Sequence, residues 1–114
     1  MDISFIIPAK DEEESIVELS QWISRVMLAH NFSYEIIFVD DGSSDGTWQQ
    51  IKKANGANSL VKGLKFNRNF GKAAALNVGF KSAQGDVVIT MDADLQDSPD
   101  EVPELYRMIR EQKF

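Results

Sequence analysis

The chain has 114 residues, and its 12 basic and 18 acidic side chains give a net charge of −6. This length fits one domain with a buried core. The acidic balance argues against nucleic-acid binding, which depends on lysine and arginine. Cysteine is absent, which excludes disulfides and thiolate metal sites. The sequence contains no membrane-length apolar run and no signal-peptide pattern. The lack of cysteine is compatible with the cytoplasm, where we expect the chain.

Apolar segments of strand length alternate with helical patterns along the chain. The predicted strands are Ile3–Pro8, Tyr34–Asp40, Leu60–Phe66 and the segment from Asp86 to Met91. The predicted helices are Glu12–Ala29, Asp45–Ala54, Lys72–Ala83 and Pro99–Gln112. Ser44 or Asp45 should cap the second helix, and Ser98 should cap the fourth, with Pro99 at its first position.

This alternation predicts an α/β fold, a Rossmann-like parallel sheet with helices on both faces. We expect the strand order 3-2-1-4, with the switch point between the first and fourth strands. Ligands of open α/β sheets bind at the carboxyl ends of the strands. The cleft should therefore lie above Pro8-Ala9, Asp40-Asp41 and Asp92–Asp94.

The fourth strand ends in two carboxylates, those of Asp92 and Asp94. Acidic residues are common in surface turns, so an Asp-x-Asp pattern alone carries little information. At the mouth of a buried strand, however, two hard oxygen donors suit Mg²⁺ or Mn²⁺, which take their remaining ligands from water and phosphate. The position of the pair therefore predicts a divalent metal site.

The loop after the second strand begins with Asp40 and Asp41. Helix capping explains Ser44, Asp45 and Thr47 in this loop. It does not explain a charge at Asp40, where a buried strand ends, because an uncompensated carboxylate there is costly. A carboxylate at this point could accept the N–H of uracil or guanine, so Asp40 is a candidate base-binding residue. Asp41 is equally open to ligand contact and to a structural role.

The third loop brings Arg68 and Lys72 to the start of a helix. The helix macrodipole disfavours cations at that end unless an anion is also present. A bound diphosphate would account for both side chains, and the alternative is that one or both extend into solvent. In the loop after the first strand, the dipole explains most of the acidic run at residues 11–14. Glu12, nearest the strand end, remains a candidate ligand-binding residue.

Four motifs in chain order resemble those of family-2 glycosyltransferases with the GT-A fold. The motifs are residues 6–12 (IIPAKDE), 35–47 (EIIFVDDGSSDGT), 68–71 (RNFG) and 91–97 (MDADLQD). They are most similar to the polyprenyl-phosphate branch, which includes dolichyl-phosphate mannose synthases and undecaprenyl-phosphate sugar transferases. The resemblance covers essentially the whole chain.

The resemblance implies inverting transfer of a sugar from a UDP- or GDP-linked donor to a polyprenyl phosphate or a glycan. The residues that it assigns to the nucleotide sugar, together with those argued above, are Pro8, Ala9, Glu12, Asp40, Asp41, Arg68, Lys72, Asp92 and Ala93. The implied ligands of a Mg²⁺ or Mn²⁺ ion on the diphosphate are Asp92, Asp94 and Gln96.

Three departures from the family accompany the resemblance. Asp11 stands where the family usually has asparagine, which puts a hydrogen bond donated by that amide in doubt, and Ser98 replaces a proline at the helix entry. Family members also continue beyond this point. We therefore expect residues 1–114 to be the donor-binding half of a GT-A domain, without the acceptor half or a catalytic base. Membrane association at the cytoplasmic face would need the missing sequence, and the exposed edge favours homo-oligomers.

Two other functions are compatible with an acidic α/β site. A nucleotidyltransferase would normally have a glycine-rich basic loop after the first strand, where this chain has the acidic segment 8–12. A noncatalytic phosphate-responsive module would carry its phosphorylated aspartate on the third strand, which here ends in Phe66-Asn67-Arg68. The chain thus lacks a feature that each of these two functions would require.

Overall fold

The structure, a computed structural model, describes residues 1–112 and consists of alternating strands and helices. The strands are β1 (Ile3–Ala9), β2 (Tyr34–Asp40), β3 (Val61–Lys65) and β4 (Val87–Thr90). The helices are α1 (Ile16–Ala29), α2 (Thr47–Ala57), α3 (Lys72–Ser82) and α4 (Val102–Gln112), the last preceded by a 3₁₀ turn, Pro99–Glu101. The elements expected from the sequence are confirmed in kind and order.

The four strands form one parallel sheet in the order β3-β2-β1-β4. β1 pairs with β2 along its whole length, from Ile3 opposite Tyr34 to Ala9 opposite Asp40. The predicted strand order is therefore confirmed, with the switch point between β1 and β4. The register brings the carboxyl ends of β1 and β2 to the same level, which places their following loops side by side.

The two faces of the sheet are covered unequally. On one face, Phe5 and Ile7 of β1 pack with apolar side chains of α1, α2 and α4 in the larger core. On the other face, Ile6 packs with Ala75 of α3 in a smaller core. α3 lies close to the sheet at Gly79, where a Cβ atom would collide with Ile6. Ala75 and Gly79 thus serve close packing of this helix against the sheet.

Several helix ends differ from the expectation. α1 begins at Ile16 instead of Glu12, because residues 13–15 form a turn and Asp11 has a φ of 55°. α2 begins at Thr47 instead of Asp45. Its N-cap is Gly46, without a side-chain capping hydrogen bond, so the expected cap by Ser44 or Asp45 is wrong. Asp45 precedes the cap and accepts a hydrogen bond from Thr47 N at 2.9 Å. Acidic side chains near these helix ends thus belong to preceding turns, where they bind backbone N–H groups.

A buried polar cluster ties the strands together at the end of the sheet opposite the site. The Glu35 side chain is fully buried and accepts hydrogen bonds from Ser4 Oγ at 2.6 Å, Lys62 Nζ at 2.7 Å and Gln84 N at 2.7 Å. Burial acts to raise the pKa of Glu35, but these hydrogen bonds together outweigh it and hold the pKa below its ordinary value. The cluster therefore needs an ionised carboxylate.

The fourth helix begins at Val102 instead of Pro99, because Pro99–Glu101 form a 3₁₀ turn. Ser98 caps that turn as expected, since its Oγ accepts a hydrogen bond from Asp100 N at 3.3 Å. Within residues 1–112, β4 pairs only with β1 and forms an edge of the sheet. This strand, expected to be buried, is only half buried, since Val88 and Thr90 are exposed. Within residues 1–112, no helix combines the length and the apolar composition that a membrane span requires.

Candidate functional site

The predicted cleft residues meet at the carboxyl edge of the sheet. Asp41 N donates to Ala9 O at 2.9 Å, and Phe66 N donates to Asp40 O at 2.9 Å. Met91 N donates to Ile6 O at 3.1 Å. Backbone pairing thus continues past the strand ends, which fixes the starting points of the loops that follow all four strands.

The β1–α1 loop (residues 10–15) and the β2–α2 loop (residues 41–46) are hydrogen-bonded to each other. Asp11 Oδ1 accepts from Ser44 N at 2.8 Å and from Asp45 N at 3.3 Å. Glu12 N donates to Thr47 Oγ1 at 2.8 Å. The backbone hydrogen bond from Ser44 lowers the pKa of the Asp11 carboxyl. Because the side chain acts as an acceptor here, aspartate fills this position as well as the family's asparagine.

Asp41 organises the β3–α3 loop (residues 66–71). Its carboxylate is nearly buried and accepts from Phe70 N at 2.8 Å, Gly71 N at 3.1 Å and Asn69 Nδ2 at 3.3 Å. The anion at the start of α3 is thus Asp41, so the helix dipole no longer requires a diphosphate there. Direct ligand contact by Asp41 stays a prediction, and such a ligand would compete with these bonds.

Gly42 allows the β2–α2 loop to approach the β3–α3 loop closely. Its φ is +72°, a conformation that side chains disfavour. A Cβ atom on Gly42 would collide with the backbone of Arg68 and Asn69. The Arg68 side chain is exposed, and its guanidinium carbon lies 4.3 Å from the centre of the Phe70 ring. Arg68 is therefore presented at the rim by a loop that Asp41 and Gly42 hold in place.

Asp40 has a different environment from its neighbour. It is 1% exposed, and its Oδ1 atom accepts a hydrogen bond from Ser43 N at 2.9 Å. That bond compensates part of the cost of burying the charge. Within residues 1–112, Oδ1 is the only atom of this carboxylate that accepts a hydrogen bond, which leaves Oδ2 able to receive a donor group. Base binding by Asp40 stays a prediction.

The Asp92–Gln96 turn presents its polar groups to solvent. Asp92, Asp94 and Gln96 are exposed, whereas Ala93 is buried. Leu95 has a φ of 68°, and Gln96 N donates to Asp94 Oδ1 at 3.2 Å. The turn therefore projects two carboxylates and one amide in the same short segment.

Ser15 anchors this turn from the start of α1, a contact that sequence reasoning missed. The side chain is 7% exposed, and its hydroxyl donates to Ala93 O. It makes no capping hydrogen bond to α1, although a serine before a helix suggests one. No local pattern indicates a partner 78 residues away.

Lys72 forms an ion pair with Asp92. Its Nζ atom lies 2.8 Å from Asp92 Oδ1, and both side chains are more than half exposed, at 63% and 53%. The hydrogen bond and the charge of Asp92 raise the pKa of Lys72, with smaller contributions from Asp97 and Asp94. The structure thus brings together Lys72 and Asp92, both of which were predicted to bind the nucleotide sugar.

Two cavities adjoin the turn. The larger, of about 580 Å³, is lined mainly by carboxylates, including Glu12, Glu14 and Asp94. The smaller, of about 130 Å³, is lined by Pro8, Lys72 and Asp92 among others. An anionic diphosphate suits the second cavity better, because a lysine offsets its carboxylates there. Glu12 thus shares a cavity with Asp94, whereas Asp40 and Arg68 line neither of the two.

The donor set of the turn fits a hard divalent cation. Carboxylate and amide oxygens are the ligands that Mg²⁺ and Mn²⁺ prefer, and Mg²⁺ usually keeps few protein ligands beside water and phosphate. Among residues 1–112, no group of three His, Cys, Asp or Glu side chains is arranged to hold a metal by itself. Asp92, Asp94 and Gln96 would accordingly hold such an ion only together with water or phosphate oxygens.

Comparison with known proteins identifies the family. The model of the glycosyl transferase family 2 matches residues 4–114. The chain belongs to this family. Two similar family members are undecaprenyl-phosphate 4-deoxy-4-formamido-L-arabinose transferases. The Aeromonas hydrophila protein is 41% identical over 104 residues, which are 90% of this chain and 32% of that protein. The Pseudomonas fluorescens protein is 43% identical over 104 residues, 90% of this chain and 30% of that protein.

The fold of this family-2 chain also matches solved structures. TarS 1-349 of S. aureus in complex with UDP-GlcNAc has a TM-score of 0.73 at 28% identity, over 99% of this chain and 32% of that one. The fold is therefore the Rossmann-like GT-A type, as the motifs indicated. The family match also favours a glycosyltransferase over the nucleotidyltransferase and phosphate-responsive alternatives. This chain spans about a third of the length of the curated relatives.

Proposed function

We propose that this chain is the donor-binding half of an inverting glycosyltransferase that moves a sugar from a nucleotide diphosphate to a polyprenyl phosphate. The main observation that supports the proposal is the ion pair between Lys72 and Asp92, which lies beside the exposed carboxylate of Asp94. A cation on α3 and two carboxylates after β4 together suit a metal-bound diphosphate. Membership in the family and the names of its similar members support the reaction class and the acceptor.

The donor nucleotide is held by three groups of residues. Asp40 accepts an N–H of uracil or guanine through its free oxygen, next to Pro8 and Ala9. Arg68 and Lys72 contact the diphosphate, with Ala93 and Glu12 nearby. Asp41 acts through the β3–α3 loop that it holds.

Asp92, Asp94 and Gln96 would hold a Mg²⁺ or Mn²⁺ ion. When bound, the ion would neutralise charge that develops on the leaving diphosphate. Lys72 and Arg68 add positive charge on the side of the β3–α3 loop, so the chain itself supplies part of this stabilisation.

The acceptor side lies outside this chain. A phosphate acceptor is already nucleophilic, so the reaction does not need the carboxylate base that a hydroxyl acceptor requires. Further sequence would supply the acceptor wall and hold the enzyme at the cytoplasmic face of a membrane. The free edge of β4 also favours self-association of the isolated chain.

Calorimetry with UDP, GDP and their sugar conjugates, with Mn²⁺ or with chelator, tests donor binding. We expect binding that depends on the metal, and Asp94→Ala should abolish the metal-dependent part without affecting the fold, because Asp94 is exposed. Asp86→Ala is the matched control, since Asp86 is also exposed and lies at the other end of β4. Unchanged affinity in Asp94→Ala would contradict the assignment.

The same titrations test the base pocket. Asp40→Asn should weaken binding of the preferred nucleotide by about 1–3 kcal/mol, the cost of an unmatched polar group, and leave inorganic diphosphate binding nearly unchanged. Equal losses for both ligands would mean that Asp40 has a structural role.

A further inference from the structure

Lys72 would compete with a metal ion for the carboxylate of Asp92. The ammonium group lies 2.8 Å from Asp92 Oδ1, which is a direct hydrogen-bonded ion pair. Asp94 and Asp97 also act on Lys72 electrostatically. Before any nucleotide sugar binds, the turn therefore already has a cation beside it, the ammonium group of Lys72.

A divalent ion and the ammonium group cannot share this carboxylate without repelling each other, because like charges at ion-pair distance interact unfavourably. A metal that coordinates Asp92 through Oδ1 must therefore displace Lys72. If the metal arrives alone, the displaced lysine loses its hydrogen-bonded partner and keeps only the weaker attraction of Asp94 and Asp97. The N–H groups of Phe70 and Gly71 are already bound to Asp41, so that carboxylate is engaged as well.

A diphosphate changes this balance. It brings new anionic oxygens to the small cavity that Lys72 and Asp92 line with Pro8. The lysine can then exchange its carboxylate partner for a phosphate partner while the metal takes the carboxylate. In the complete complex the metal ion is paired with Asp92 and Lys72 is paired with the diphosphate. Metal alone would leave Lys72 without its hydrogen-bonded partner, and diphosphate alone would leave Asp92 without one.

We propose that Lys72 acts as an exchangeable counter-ion of Asp92, which makes the binding of metal and of nucleoside diphosphate mutually dependent. The inference rests on the proposed function. It deepens that function by stating that the donor site takes up metal and diphosphate together and binds free metal weakly. Such coupling is reciprocal, so each ligand must raise the affinity for the other by the same factor.

The test compares Mn²⁺ binding, measured by electron paramagnetic resonance, with and without UDP or GDP. Lys72→Met should bind Mn²⁺ alone about two- to fivefold more tightly, the range expected for removal of a competing exposed ion pair. The same variant should bind the nucleotide in saturating Mn²⁺ about tenfold more weakly, because a hydrogen bond between charged groups is lost. The two affinities thus move in opposite directions.

Two further variants serve as controls. Lys81→Met removes the same charge from the last turn of the same helix and should resemble the wild type in both titrations. Lys72→Arg keeps the charge and should retain the coupling. Circular dichroism verifies the fold of each variant.

The outcomes separate this inference from the proposed function. Metal-dependent nucleotide binding in the wild type, with Mn²⁺ affinity unchanged or weaker in Lys72→Met, would overturn the inference alone. Equal tightening in Lys81→Met would also overturn it, since the effect would then come from net charge. A wild-type chain that binds no nucleotide with Mn²⁺ would refute the proposed function and this inference with it.

Discussion

Asp41 should be a main determinant of the stability of the β3–α3 loop, and replacing it tests this role directly. Asp41→Ala removes the acceptor of the Phe70 and Gly71 N–H groups. It also removes the negative charge at the start of α3. Asp41→Asn keeps one oxygen acceptor and removes only the charge and one acceptor atom, so the two variants separate these contributions.

The magnitude follows from the contacts. An unsatisfied buried donor costs about 1–3 kcal/mol, and the low end applies here because Phe70 is exposed and water can reach the loop. The lost charge at the helix N-terminus adds about 0.3–1 kcal/mol. With two such donors, the N–H groups of Phe70 and Gly71, we expect Asp41→Ala to lower the free energy of unfolding by about 2–3 kcal/mol, and Asp41→Asn by about 1 kcal/mol.

Urea denaturation followed by circular dichroism measures these differences. Asp86→Ala removes the same charge from an exposed site and should stay within about 0.5 kcal/mol of the wild type. If Asp41→Ala is equally mild, Asp41 does not hold the loop. A variant that keeps its stability but loses nucleotide binding would instead place Asp41 in contact with the ligand.

Two further predictions concern the backbone at Gly42 and the charge of Glu35. Gly42→Ala should destabilise the fold by at least about 1–3 kcal/mol because of its positive φ and the collision with the β3–α3 loop. Gly56→Ala, where a Cβ meets no atom within 4 Å, should be neutral or stabilising by up to about 1 kcal/mol in the same denaturation assay. Because the pKa of Glu35 is held below its ordinary value of 4.5, its contribution is full above that pH and is lost as the pH falls through the lower folded pKa. Glu35→Gln should therefore flatten the acid limb of stability against pH, whereas Glu104→Gln, at an exposed site, should not.

Much of the fold could be predicted because its causes are local. The apolar periodicity of α1 and the continuous apolar run of β2 identify these elements without knowledge of their neighbours. Right-handed crossovers and the switch-point rule then favour a doubly wound strand order, of which the observed one is a common type. The convergence of Asp40 and Asp92 on one edge follows from that order alone.

The helix starts were less predictable, for a physical reason. An acidic residue near a helix N-terminus is favourable both inside the first turn and in the preceding loop. Glu12 and Asp45 therefore fit a predicted helix as well as a capping turn. Only the hydrogen bonds between the β1–α1 and β2–α2 loops, such as that from Glu12 N to Thr47 Oγ1, decide between the two.

The sequence by itself determined the order of the elements, the strand order and the edge of the sheet where polar residues gather. Only the tertiary structure decided which partner each of those residues has. Asp41 binds Phe70 N 29 positions away, Lys72 binds Asp92 20 positions away, and Ser15 binds Ala93 O 78 positions away. Periodicity records burial, which repeats along an element, whereas a hydrogen bond depends on the meeting of two particular atoms from distant segments.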